Sequence, residues 1–93
     1  MAEPDSHILL LYDYVEDMVD RRAPHREAHL ARITEQREAG RVVMAGALGD
    51  PPLGGALVFK GVDPEQVERF ARDDPYMKAG LITAWRAQPW KLV

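Results

Sequence analysis

The chain has 93 residues, a mass of 10.5 kDa, 12 basic and 15 acidic side chains, three histidines and no cysteine. This length predicts a single domain over residues 1–93, which can bury only about 64% of the surface of the unfolded chain. The net charge of −3 argues against nucleic acid or an anionic membrane as a partner, because either would need a clustered basic face.

The absence of cysteine excludes disulfides, thiolate metal sites and cysteine nucleophiles. It also fits a reducing compartment. The longest apolar run, residues 8–11, is far too short to cross a bilayer, and residues 1–5 lack the basic start of a signal peptide. We therefore expect a soluble, cytoplasmic protein.

The first half of the chain predicts a strand, a helix and a second strand. Residues 7–14 are apolar and aromatic and are followed by acidic residues, which favours a strand. Residues 15–23 show no clear periodicity. A proline at the first position and Gly40 at the end bound a helix over residues 24–39. Residues 41–48 predict the second strand.

The second half predicts a hairpin, a helix and a last strand. Residues 49–55 are dense in glycine and proline, so residues 56–60 should return beside the second strand. Asp63 is a helix N-cap, because a proline follows it and a glutamine three residues on can close a capping box. The residue before Pro75 is pushed out of helical space, which ends that helix. Residues 81–93 predict a long last strand.

The order βαββαβ is that of the ferredoxin-like fold, an α+β class with one antiparallel four-stranded sheet and two helices on one face. The other face would be polar if it met water. Both faces are apolar instead, because successive leucines such as Leu9 and Leu10 point to opposite faces of the sheet. We expect a second copy of the sheet to cover it, with Trp85 or Trp90 as an anchor. The alternative is that strand propensity alone explains the apolar excess.

One histidine stands out as a candidate for proton transfer. His25 and His29 have a spacing that can bind a metal, but a zinc site would need a third ligand that the sequence does not provide, so no metal is predicted. His29 lies one turn before Ile33, so its imidazole should face the sheet, where a carboxylate could tune it for acid–base chemistry. The alternative is a core histidine bonded to a backbone carbonyl.

The segment 73–76, Asp-Asp-Pro-Tyr, has two interpretations. It is typical of a helix-ending turn in which an acid binds nearby amides. It could also present a carboxylate and a phenol at the end of the sheet, where they orient a histidine or bind a polar substrate. The spacing of these residues fits both interpretations.

Four short motifs follow one another along the chain: Ala28-His29-Leu30-Ala31-Arg32, Gly40-Arg41-Val42-Val43-Met44-Ala45-Gly46, Asp74-Pro75-Tyr76 with Ala79-Gly80-Leu81, and Pro89-Trp90. Together they resemble the YciI-like (YCII-related) family over about residues 7–93. The resemblance implies a dimeric α+β barrel, in which two ferredoxin-like sheets pack face to face. It also implies a cleft lined by a catalytic pair, His29 and Asp74, and relatives that include a dehydrochlorinase of a chlorinated hydroxyquinol.

Two functions from different classes follow. The first is a lyase or isomerase without cofactor, in which His29 exchanges a proton with a small polar or aromatic-derived metabolite and Asp74 orients it. In this hypothesis Arg26, Tyr76 and Gly46 bind the substrate. The second is a non-catalytic module that binds a small ligand or serves as an accessory dimer. A haem-degrading or quinol-oxidising role is a third hypothesis.

Overall fold

The computed structural model describes residues 2–93, which form a four-stranded sheet and four helical segments. In chain order the elements are β1 (His7–Tyr14), α1 (Met18–Arg21), α2 (Ala23–Glu38), β2 (Val42–Leu48), β3 (Gly54–Lys60), α3 (Pro64–Arg72), α4 (Pro75–Lys78) and β4 (Ile82–Trp90). All neighbouring strands are antiparallel, in the order β2-β3-β1-β4. The predicted α+β, ferredoxin-like fold is confirmed.

The end of α2 and the start of α3 lie where their capping residues predict. Gly40 follows α2 with a φ of +78°, a left-handed conformation that favours glycine after a helix. At the start of α3 the backbone N–H of Asp63 donates to Oε1 of Gln66 at 2.8 Å, which is one arm of a capping box. None of the helices in residues 2–93 is long and apolar enough to cross a membrane.

Two single-turn helices were not predicted. The segment 75–78 was expected to be a plain turn, yet Asp74 caps it as α4 by accepting a 2.9 Å bond from the backbone N–H of Tyr76. Pro75 therefore ends α3 and also begins α4, because proline is well suited to a first helical position. The other new helix, α1, has only four residues and is too short to show a periodicity. The last strand ends at Trp90 and not at residue 93.

The core lies between the sheet and the two long helices. Alternate residues of β1, Ile8, Leu10 and Tyr12, are buried on this side. Ile33 of α2 and Phe70 of α3 belong to the same buried cluster on the helical side of the sheet. The core also contains these buried residues: Met18, Val42, Leu57, Phe59, Val62, Val67, Ala71, Tyr76, Leu81 and Ile82.

The opposite side of the sheet has no helix over it in the part of the chain that the structure describes. We call this side the open face and define it by six apolar residues that alternate with the core positions or pair across from them: Leu9, Leu11, Met44, Leu48, Ala56 and Val58. Met44 is 61% exposed and Leu48 is 46% exposed. Trp90 pairs with His7 on the side of the open face. Trp85 packs against the core and is not part of the open face.

Candidate active site

His29 and Asp74, 45 residues apart in sequence, meet at the end of the sheet. The helix α2 turns His29 inward beside Ile33, and the start of α4 places Asp74 opposite it. Nδ1 of His29 lies 2.8 Å from Oδ1 and 3.0 Å from Oδ2 of Asp74. The histidine is therefore bonded to a carboxylate and not to a backbone carbonyl.

Asp74 has no exposed surface, and three donors surround its carboxylate. Besides His29, the Tyr12 hydroxyl donates to Oδ2 at 3.1 Å and the backbone N–H of Tyr76 donates to Oδ1 at 2.9 Å. The same carboxylate therefore caps the start of α4 and is hydrogen-bonded to the histidine, so the segment 73–76 combines a backbone cap with a histidine contact. Such a set of fixed donors holds the carboxylate in one position.

The ring of His29 is fixed on its face as well as at its edge. It stacks on Tyr76 with ring centres 3.8 Å apart and planes 12° apart. Tyr14 in turn packs edge-on against Tyr76 at 6.0 Å. Because the Asp74 carboxylate accepts a hydrogen bond from the N–H of Nδ1, the lone pair of the neutral imidazole lies on Nε2. Every fully buried side-chain nitrogen and oxygen within residues 2–93 has a hydrogen-bond partner. Nε2 of His29 has no such partner within these residues, so it is not fully buried and reaches open space.

That space is a cavity of about 310 Å³ between α2 and the strands β2 and β3. Its volume is at the lower end of the range for small-molecule sites, about 300–1,000 Å³. Four of the residues predicted from the sequence line it: Arg26, His29, Gly46 and Tyr76. Asp74 lies behind His29 and does not line the cavity. The structure thus brings the predicted site residues together, with one of them in a supporting position.

Gly46 and Gly55 contribute to the cavity in different ways. A side chain at Gly46 would meet nothing within 4 Å, so packing within this chain does not require glycine there. A side chain at Gly55 would collide with the hydroxyl of Tyr14. Gly55 therefore allows Tyr14 to lie against β3 and pack on Tyr76.

Sequence reasoning missed several lining residues, and one signal could have found some of them. Arg22 and Arg37 line the cavity, and with Arg26, His29 and Ile33 they form a stripe spaced by four, three, four and four residues. Arg22 precedes both the predicted helix and α2, of which it is the N-cap, so a helical pattern confined to the helix does not include it. Tyr12 is buried on the core side of β1, and its bond to Asp74 depends on tertiary structure that no local pattern encodes.

The three histidine positions give no metal-binding group. His25 and His29 have the spacing of a metal-binding pair, but Nδ1 of His29 is already engaged in the 2.8 Å bond to Asp74. Within residues 2–93 no three histidine, aspartate or glutamate side chains are grouped so that they could hold a metal ion.

The tyrosines around the site should make the protein sensitive to alkali. Burial raises the pKa of Tyr12, and the charge of Asp74 and the hydrogen bond to it act in the same direction. Burial also raises the pKa of Tyr14 and of Tyr76. A phenol whose pKa is raised by folding stabilises the protein fully below its unfolded pKa of about 10, and this stability is lost as the pH rises through the folded pKa.

We therefore expect the melting temperature to fall above about pH 10, and to fall less steeply in Tyr12→Phe. The measurement is the melting temperature against pH, together with the ultraviolet absorbance of tyrosinate. Absorbance that titrates with a pKa near 10 while the protein is still folded would contradict the burial of these phenols.

Comparison with known proteins agrees with the fold described above. A family model described as the YCII-related domain matches residues 7–91. Among solved structures, the chain is similar to 5-chloro-2-hydroxyhydroquinone dehydrochlorinase from Burkholderia phenoliruptrix, in a complex with 2,5-dihydroxybenzoquinone. The two chains share 22% sequence identity and superpose with a TM-score of 0.77, over 91% of this chain and 93% of the other. A comparison with curated proteins gives no match. At this identity the structural likeness concerns the fold.

Proposed function

The chain belongs to the YCII-related family, and we propose that it is a lyase or isomerase that moves protons on a small polar or aromatic-derived metabolite. The observation that carries this proposal is the 2.8 Å bond from His29 Nδ1 to Asp74 behind a cavity that the same histidine lines. A base must be oriented by a partner and still reach the substrate, and this pair meets both conditions.

In the proposed reaction, Nε2 of His29 removes a proton from substrate held in the cavity. The electron pair of the broken C–H or O–H bond forms a new C=C or C=O double bond. In a lyase, a leaving group such as chloride departs with its own bonding pair and the imidazolium gives its proton to water; in an isomerase, an existing double bond shifts and the imidazolium returns the proton to another atom. The hydrogen bond to Asp74 keeps the proton on Nδ1 of His29. The negative carboxylate stabilises the imidazolium while it exists.

The non-catalytic alternative predicts a different arrangement. A module that only holds a ligand has no need for a buried carboxylate behind its histidine, and there the two groups could lie too far apart to bond. The site instead fixes the ring by a carboxylate on one edge and Tyr76 on one face. This arrangement supports the enzyme hypothesis.

Two assays test the proposal with the wild-type chain. Chloride release from 5-chloro-2-hydroxyhydroquinone tests the reaction for which the structural neighbour is named. Uptake of deuterium from deuterium oxide into enolisable acids tests proton transfer without a leaving group. Turnover in either assay supports an enzyme, whereas binding of these compounds without turnover would favour a non-catalytic module.

We further propose that a second copy of the chain covers the open face. Met44 and Leu48 are its most exposed members, Val58 is only 7% exposed, and the six apolar residues lie in adjoining strands. Exposed patches of this kind mark interaction surfaces. A face-to-face dimer would bury about 800 Å² on each copy if it is of ordinary size.

Met44→Lys is expected to turn this dimer into a monomer, because it would bury an unpaired charge between the two sheets. The cost corresponds to a dissociation constant about 100-fold higher or more. Sedimentation equilibrium measures the mass. Val19→Lys is the matched control, since Val19 is exposed on α1 and lies outside the open face. A wild-type monomer, or equal masses for the two variants, would contradict a dimer through this face.

A further inference from the structure

The cavity wall is positively charged although the chain as a whole is acidic. Arg22, Arg26 and Arg37 line the cavity, and no aspartate or glutamate does so. None of these three arginines forms an ion pair within residues 2–93. Others are engaged elsewhere: Arg32, for example, donates to the backbone carbonyl of Phe70 at 3.0 Å. The positive charge on the cavity therefore has no acidic partner among residues 2–93.

Helix stability does not explain these arginines. Positions three and four residues from each of them hold no acid, whereas Arg21 has Asp17 four residues before it. Arg22 is the N-cap of α2 and Arg26 lies near the same end, so both place positive charge at a helix N-terminus, which the helix dipole disfavours. The fold thus tolerates an unfavourable arrangement on the side that faces the cavity.

The arginines lie at two ends of the cavity wall. Arg22 and Arg26 flank Tyr76; burial raises the pKa of its phenol, and the two positive charges act in the opposite direction. Arg37 follows Arg26 by 11 residues, or about 16 Å along the helix axis at 1.5 Å per residue. His29 is only three residues from Arg26, about 4.5 Å along the axis. The proton-accepting nitrogen is therefore much closer to the Arg22–Arg26 end.

We propose that the cavity binds an organic dianion, with one anionic oxygen group held by Arg22 and Arg26 beside His29 and the other held by Arg37. The guanidinium groups match the geometry of carboxylate or phosphate oxygens. This inference rests on the proposed function for the role of His29 and adds the substrate class. Negative charge that develops on the substrate when His29 takes a proton would form next to Arg22 and Arg26, where it is stabilised.

Binding can be tested without knowledge of the substrate. The probes are the dicarboxylates from succinate to pimelate, the neutral diamide adipamide, the monoanion hexanoate, and 5-phosphonopentanoate, followed by NMR titration. We expect at least one dicarboxylate or the phosphonate to bind, more weakly at high salt, and adipamide not to bind. Preference for the phosphonate or for a dicarboxylate identifies the anionic group, and either supports a dianion site.

Three variants assign the ends of the site. Arg22→Gln and Arg26→Gln should each raise the Kd about tenfold or more, because each removes a charge-assisted bond. Arg37→Gln should remove the preference for adipate over hexanoate. Arg69→Gln is the matched control, since Arg69 is an exposed arginine of α3 outside the cavity, and it should bind as the wild type does.

Equal affinity for adipate and adipamide, no binding of any anion, or cavity variants that behave like Arg69→Gln would overturn the dianion site. His29→Gln separates the two proposals, because it should still bind the anion while turnover is lost. Anion binding by a wild-type protein that turns nothing over would count against the enzyme and for the dianion site. Turnover of neutral substrates that Arg22→Gln leaves unchanged would count against the dianion site alone.

Discussion

His29→Gln is expected to lower turnover by about 10²- to 10⁴-fold and to leave the fold intact. The glutamine amide can still donate to Asp74 and lie on Tyr76, but it cannot accept a proton at neutral pH. The measurement is kcat for chloride release or deuterium uptake, whichever the wild type catalyses, with the melting temperature recorded alongside. The expected loss is therefore one of chemistry and not of structure.

His25→Gln provides the matched control for this prediction. His25 lies on the same helix, one turn earlier, and does not line the cavity. Its variant should keep wild-type turnover. Turnover in His29→Gln equal to that of His25→Gln would remove His29 from the reaction. Loss of the folded protein in His29→Gln would instead favour a purely structural histidine.

Asp74→Asn should cost about 3 kcal/mol of stability and lower turnover by about 10²-fold or more. The fully buried carboxylate accepts bonds from His29, Tyr12 and the backbone of Tyr76, and an amide cannot accept all three. Its NH₂ group would face one of these donors, or would turn the histidine to the tautomer with its proton on Nε2. That tautomer has no lone pair toward the cavity.

The neighbouring Asp73→Asn is the control for Asp74→Asn, because Asp73 is exposed and makes no side-chain hydrogen bond within residues 2–93. Thermal unfolding and kcat should both stay close to the wild type in this control. If Asp74→Asn were as stable and as active as Asp73→Asn, the three bonds to Asp74 would contribute nothing, and the mechanism would fail at its second residue.

The sequence was sufficient for the four strands and the two long helices, because each of these elements carried a local signal. Gly40 and the Asp63 capping box ended and began helices where the structure has them, since these signals depend on a few neighbouring residues. The α4 turn escaped prediction because Pro75 was taken only as the end of α3. The same signal that began α3, an aspartate before a proline, was present there too.

The site was partly predictable for a related reason. His29 and Asp74 stood out as residue types, but their distance of 2.8 Å depends on how α2 and α4 pack, which no spacing in the sequence determines. The stripe from Arg22 to Arg37 was present in the sequence, but Arg22 is the N-cap of α2 and lies outside both the predicted and the observed helix. Tyr12 as a donor to Asp74 could be found only in three dimensions.

We propose that Asp74 holds His29 as a base with Nε2 directed to the cavity, and nitrogen NMR of the histidine ring tests this proposal at the atoms concerned. In the neutral ring we expect the proton on Nδ1 and an unprotonated Nε2, and we expect Asp74→Asn to disturb this state while Asp73→Asn does not. A neutral wild-type ring with its proton on Nε2 would contradict the claim.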